Sequence, residues 1–284
     1  MTPKQRKKLL KHKKSSQLPE KNPAQSSYIQ KLISYRQLFS DYPSVKLLIN
    51  NIVEADRLLN AGLLPQSLPE LLLPDDIQDQ IFTKIGQQYP AGDKRGDTLW
   101  NQLSAALPDL DKQIRSFRDY LEEHYGMWAY ISASFMRDLA DFVENRTVLE
   151  LMAGNGYISK GLRDAQKTVY TTDNKAWVAE NETGKHPVTA VEKLDALAAI
   201  DKYPVDVVIM SWSPDKLDID WQVLQKLRTL NPQPAFIVIG EKNGATGSKT
   251  FWEQADYIND DVTQKLNKNY THFDLIHDQV YRVK

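Results

Sequence analysis

From residue 146 onward, short apolar β-branched runs alternate with stretches of helix length, and this constrains the fold more than any other feature of the chain. The runs are Thr147-Val148-Leu149-Glu150-Leu151, Thr168-Val169-Tyr170-Thr171, Val205-Asp206-Val207-Val208-Ile209-Met210 and Ala235-Phe236-Ile237-Val238-Ile239. Continuous apolar strands separated by helices specify a parallel sheet buried on both faces, and right-handed crossovers make it doubly wound. The end of the chain reads differently. After a helical stretch around 250–268, Phe273-Asp274-Leu275-Ile276 and Val280-Tyr281-Arg282-Val283 lie too close for a crossover helix, which predicts an antiparallel hairpin at the sheet edge.

The first half carries no such alternation. Residues 1–26 are basic, then rich in Ser, Pro, Gln and Lys, too poor in apolar residues to repay ordering, and read as a flexible tail. From 27 the apolar residues recur at helical spacing: Ile29, Leu32 and Ile33, then Val45, Leu48, Ile49, Ile52 and Leu59, stopped by Gly62. Pro65, Pro69 and Pro74 break the chain before amphipathic segments near 75–88 and 109–124. The expected organisation is a tail (1–26), an all-helical domain (27–120) and an α/β domain (121–284) with a Rossmann-like, mostly parallel sheet.

Composition removes several chemistries. The 284 residues contain no cysteine, which excludes disulfides, zinc-thiolate sites, iron–sulfur clusters and thiol catalysis. His12, His124, His186, His272 and His277 show no metal-ligand spacing, so no metal is expected. No apolar run approaches the roughly 18 residues of a membrane span, and no signal core follows the basic start, so a soluble, cytoplasmic protein is expected. The net charge is −1, but Lys4, Arg6, Lys7, Lys8, Lys11, Lys13 and Lys14 leave −8 on the remainder, 29 bases against 37 acids. Such a tail can contact phosphates weakly, or simply be solvated; the acidic remainder argues against a broad nucleic-acid groove.

Ligands of open α/β sheets bind at the carboxyl ends of the strands. There the first strand ends in Glu150-Leu151-Met152-Ala153-Gly154-Asn155-Gly156, glycines allowing a sharp turn and close approach of a ligand to the backbone. The helix that starts near Tyr157 turns its amides toward this loop. Asp173 ends the second strand, 19 residues after Gly154, where a carboxylate can accept hydrogen bonds from both ribose hydroxyls. Together these features imply an adenosine-containing ligand.

The C-terminal half resembles the class I S-adenosylmethionine-dependent methyltransferases. Glu150 matches the family's strand-end acid, Gly154 and Gly156 its last two glycines, Asp173 its ribose-binding acid, and Asp195-Ala196, after 188–191, its adenine-contacting pair. Met152 departs from the pattern, standing where a first glycine is usual. The family's last strand is inserted antiparallel, as expected here. The resemblance implies S-adenosyl-L-methionine as cofactor, bound by Glu150, Ala153, Gly154, Asn155, Gly156, Asp173, Asp195, Ala196 and Ser211. It also implies methyl transfer to an acceptor that is a small molecule, RNA or protein.

Methyl transfer from a sulfonium needs positioning above all, and some acceptors need a base. Ser211 and Trp212, in the loop Ser211-Trp212-Ser213-Pro214 after the fourth strand, and Glu241 at the end of the fifth are the candidate catalytic residues, Glu241 as base. Of Tyr125, Trp128, Tyr130 and Phe135, one or two are expected to face ligand. Two rivals stand: a cofactor-binding or interaction module without catalysis, and an NAD-binding Rossmann protein. Gly154-x-Gly156-x-x-Ser159 comes close to the dinucleotide fingerprint, although Glu150 would repel a pyrophosphate. Gly244-Ala245-Thr246-Gly247-Ser248-Lys249-Thr250 looks like a triphosphate loop but lacks glycine before the lysine, and reads as a loop capping a helix.

Overall fold

Ser26 begins the described part of the chain, residues 26–284 of a computed structural model, and its hydroxyl accepts the Ile29 amide to cap α1 (Ser27–Leu38). Helix α2 (Pro43–Asn60) starts on a proline, where no amide partner is needed, and stops before Gly62, whose φ of 70° leaves the helical region. The proline segment 63–76 is irregular, and α3 (Ile77–Gln88) follows. The amphipathic stretch placed at 109–124 is two helices, α4 (Lys94–Arg115) and α5 (Phe117–Tyr125), with a break at Ser116. Helix α6 (Ala133–Val143), capped by Ser132, leads into the sheet. The basic tail and the phosphate contacts expected of it lie outside the described residues, apart from Ser26.

The sheet comprises β1 (Val148–Leu151), β2 (Val169–Asp173), β3 (Glu192–Lys193), β4 (Val207–Ser211), β5 (Ala235–Gly240), β6 (Tyr257–Ile258) and β7 (Gln279–Val283). Its order is β3-β2-β1-β4-β5-β7-β6. The first five strands run parallel, and β7 is antiparallel to both β5 and β6. Helices α7 (Tyr157–Asp164), α8 (Ala196–Lys202), α9 (Ile219–Arg228), α10 (Lys249–Gln254) and α11 (Asp261–Lys268) connect the strands. The fold is Rossmann-like α/β with a helical N-terminal region.

The terminal antiparallel pair is present, with a different first member. Residues 273–276 are not a strand, and the stretch 250–268 is not one helix, since β6 interrupts it. Tertiary contacts take the expected strand: the Phe273 carbonyl accepts the Leu71 amide, the Phe273 ring meets Phe117 and Tyr130, and Asp274 pairs with Arg118.

Successive residues of a strand face opposite sides, so an all-apolar strand builds two cores. Val148, Val207, Ile209, Ile237, Ile239 and Val280 form one continuous apolar cluster with the helical region from Ile29 to Val143. Leu149, Leu151, Val208, Met210, Phe236 and Val238 pack on the other side against α8, α9 and α10. No helix among the described residues is long and apolar enough to cross a membrane.

Candidate functional site

The chain turns out of β1 with three left-handed residues, Met152 (φ 52°), Gly154 (φ 55°) and Gly156 (φ 80°). The departure at Met152 therefore leaves the turn's geometry in place, with a methionine in the conformation glycine favours. Below the turn, the Glu150 carboxylate accepts the Ser159 amide at 2.8 Å and the Ser159 hydroxyl. Thr171 donates to that hydroxyl at 2.6 Å, and Arg163 donates to Thr171 at 2.7 Å. Glu150 is almost fully buried, and burial, against the lowering effect of Ser159, pushes its pKa up to about 7.

Asp173 closes β2 with its carboxylate bound to two amides, Gly154 N–H at 2.8 Å and Lys175 N–H at 2.5 Å. This carboxylate sets the height of the glycine turn, and each oxygen keeps a further lone pair. Asp195 caps α8, accepting the Leu197 amide at 2.9 Å. At the end of β4, Trp212 adopts φ 52°, its amide donates to the Ile239 carbonyl at 2.8 Å, and its indole N–H donates to Asp278 at 2.7 Å. Tyr270 donates to the same Asp278 oxygen at 2.5 Å, and the Arg118 guanidinium lies 5.3 Å from the Trp212 ring.

These strand ends enclose a cavity of about 550 Å³, within the range of small-molecule sites. It brings together Glu150, Ala153, Gly154, Asp173, Asp195, Ser211 and Trp212 from the sequence-predicted set, together with Met152. Asn155, Gly156, Ala196 and Glu241 are not part of its wall. Asn155 is a buried clamp: its amide nitrogen donates to the carbonyls of Tyr125 (2.8 Å) and Glu182 (3.1 Å), and its oxygen accepts the His186 amide (3.2 Å). Gly126 completes this junction, since a Cβ there would stand 2.6 Å from the Asn155 amide nitrogen. Glu241 accepts the amides of Ala245 (2.9 Å) and His277 (3.2 Å), which fold its carboxylate into its own loop.

The segment before α6 supplies a wall that strand-end reasoning did not place: Met127, Trp128, Ala129 and Ile131. Of the four aromatics singled out there, Trp128 lines the cavity, while Tyr125, Tyr130 and Phe135 are outside its wall. The Trp128 indole donates to Thr183 at 2.9 Å, and its ring centroid lies 6.0 Å from that of Trp212, tilted by 41°. Asn174, Trp177 and Thr183 line it from the segment after β2. The nearness of Trp177 to the strand-end acid in sequence was the available signal. Ser213, also in the wall, has a buried hydroxyl without a hydrogen-bond partner, a condition that costs about 1–3 kcal/mol until a ligand atom meets it.

Among the described residues the wall holds four carboxylates, Glu150, Asp173, Asp195 and Asp215, and no lysine, arginine or histidine. Such a site favours a neutral or cationic ligand and disfavours phosphates. Residues 244–250 offer no phosphate site: the Ser248 amide and hydroxyl both donate to buried Asp220, and Ser248 caps α10.

No family model and no curated protein matches the sequence. Solved structures similar to the chain include the plantazolicin methyltransferase BpumL in complex with SAH, 11% identical, covering 72% of this chain and 99% of that one, with a TM-score of 0.37. The magnesium protoporphyrin IX methyltransferase ChlM from Synechocystis PCC 6803 with bound SAM is 12% identical over 58% of this chain and 93% of that one (TM-score 0.33). TehB from Haemophilus influenzae is 11% identical over 59% of this chain and 66% of that one, just under two thirds of its length (TM-score 0.34). By its own strand order, its reversed seventh strand and the left-handed turn after β1, the α/β part of this chain has the fold of the class I S-adenosylmethionine-dependent methyltransferases.

Proposed function

We propose that the chain is an S-adenosylmethionine-dependent methyltransferase. The observation that carries the reading is the cavity at the ends of β1, β2 and β4, where a glycine turn and the Asp173 carboxylate meet in a wall that holds, among the described residues, four acids and no base. A sulfonium-bearing adenosyl ligand suits that wall in both shape and charge. Asp173 has lone pairs left for the ribose hydroxyls, Asp195 lines the same cavity and would meet the base, and the Ala153–Gly154 backbone allows close approach. When bound, S-adenosylmethionine supplies an already activated methyl group. The protein's own task is then to position the acceptor against Trp212 and Ser213 and to keep water out.

A dinucleotide fits the same wall poorly. Its pyrophosphate would lie at the glycine turn beside the Asp173 carboxylate, with no basic side chain among the described residues of the wall to offset the repulsion. Calorimetric titration with S-adenosylmethionine, S-adenosylhomocysteine, NAD and ATP is the test. Micromolar binding of the first two alone is expected, and Asp173→Ala is expected to weaken it by about 1–3 kcal/mol through lost ribose hydrogen bonds. Tighter binding of NAD, or no binding of the adenosyl sulfonium, would refute the proposal.

A further inference from the structure

We infer that the methyl acceptor is a small planar heteroaromatic whose reacting atom is an uncharged, pyridine-type ring nitrogen. The inference rests on the methyltransferase reading and deepens it by naming the acceptor's chemistry. Three features of the cavity carry it: the charge of the wall, the state of its proton acceptors and the pair of tryptophans.

The wall excludes anionic acceptors. An anionic acceptor held against Trp212 and Ser213 meets the Asp215 carboxylate of the same loop, and no described lining residue is basic. Arg118 stands behind the two tryptophans of the wall with each guanidinium nitrogen engaged, by Asp274 at 2.5 and 3.1 Å and by the Trp128 carbonyl at 2.6 Å. Trp212 and Phe273 flank its faces.

Nor does the wall present a side chain suited to deprotonating an acceptor. Glu150 is tied to Ser159 beneath the turn, Asp173 receives two amides, and Asp195 caps a helix. The Tyr157 hydroxyl donates to the Tyr125 carbonyl at 2.9 Å, and burial pushes its pKa up. Asp215 is exposed at the rim beside Lys216, 3.1 Å away. Glu241 is outside the wall. An alcohol, a phenol or an ammonium ion must lose a proton before it attacks, whereas a pyridine-type nitrogen presents a free lone pair at neutral pH.

Trp128 and Trp212 come from different segments of the wall, with ring centroids 6.0 Å apart, and have each committed their single N–H donor, to Thr183 and to Asp278. What they offer a ligand is π surface, tilted by 41°. That surface accepts a flat ring and strengthens its hold as the ring becomes positive. In the transfer, the in-plane nitrogen lone pair forms the N–C bond while the C–S bond breaks and its electron pair goes to sulfur. Positive charge passes from sulfur to the ring, and no proton moves. The wall thus binds the transition state, with its growing ring charge, better than the neutral acceptor.

The test uses the whole chain with isoquinoline as neutral probe, 2-methylisoquinolinium as product probe and isoquinoline-3-carboxylate as anionic probe, each titrated by calorimetry with saturating S-adenosylhomocysteine. The cation is expected to bind about tenfold more tightly than the neutral ring, and the anion more weakly than either. Methyl-labelled S-adenosylmethionine should label isoquinoline and quinoline but not 2-naphthol, benzylamine or a short RNA. Trp128→Leu should raise KM for isoquinoline more than it lowers kcat, and Trp128→Phe, which keeps a π face, should fall between it and the parent. Cofactor binding with labelling of the naphthol, the amine or the RNA, with no labelling of the rings, or with the anion bound as tightly as the cation overturns the acceptor class and leaves the methyltransferase reading standing. Absence of cofactor binding overturns that reading, and the acceptor inference with it.

Discussion

Glu150 shows how one side chain couples the site to stability. Its folded-state pKa of about 7 lies above the ordinary glutamate value of 4.5, because burial penalises the charged form. The folded protein therefore holds a proton that the unfolded chain releases, and stability falls as pH rises through the window from 4.5 to about 7. The full cost, roughly 3 kcal/mol, is present above that window. Urea unfolding of the parent and of Glu150→Gln at about pH 4 and about pH 8 measures it. The parent should lose roughly 3 kcal/mol relative to the glutamine variant across that range, and a pH-independent difference would contradict the assignment. The acid itself was legible in the sequence, as were Gly154 and Asp173. Met152 was not, because a methionine at φ 52° is held there by its surroundings and nothing in its side chain announces a left-handed turn.

Among the elements, the one holding the glycine turn in place is the junction of α5, the turn and residues 182–186, and Asn155 is its center. Asn155→Ala removes three hydrogen bonds, leaves the His186 amide without its acceptor and the Tyr125 and Glu182 carbonyls with one donor fewer, and should cost about 2–3 kcal/mol. Hydrogen exchange at the His186 amide should accelerate at least tenfold relative to amides in β4; equal protection in the variant would show that the clamp does not hold the segment. The resemblance of the glycine turn implies a ligand contact at Asn155, and only the folded chain shows Tyr125 and Glu182 beside it. The long strands were legible for the opposite reason. Their apolar runs are continuous because both faces are covered, whereas β3 and β6 have two residues each and too little pattern to read. Residues 273–276 had a strand's composition, but Arg118 and the aromatic ring contacts of Phe273 claim them.

At the scale of the molecule, the helical region and one face of the sheet share a single apolar cluster, running from Ile29 to Val280. We propose that the boundary near 120 marks a change of architecture and not of cooperativity. Thermal unfolding followed by far-ultraviolet circular dichroism and by tryptophan fluorescence should then give one coincident transition, and two separated transitions would show that the helical region unfolds by itself. The same arrangement divides the site. Glycine turn, Asp173 and Asp195 belong to strand ends, while residues 126–131 belong to the link between α5 and α6 in the covering helices. On the proposed function, the strand ends would hold the donor, and the acceptor would meet Trp212 from the loop after β4 and Trp128 from residues 126–131. On that reading, substitutions at residues 126–131 would reshape one side of the pocket while the strand ends, and the donor they would hold, stay as they are; a lineage of such chains would then change its target without rebuilding its engine.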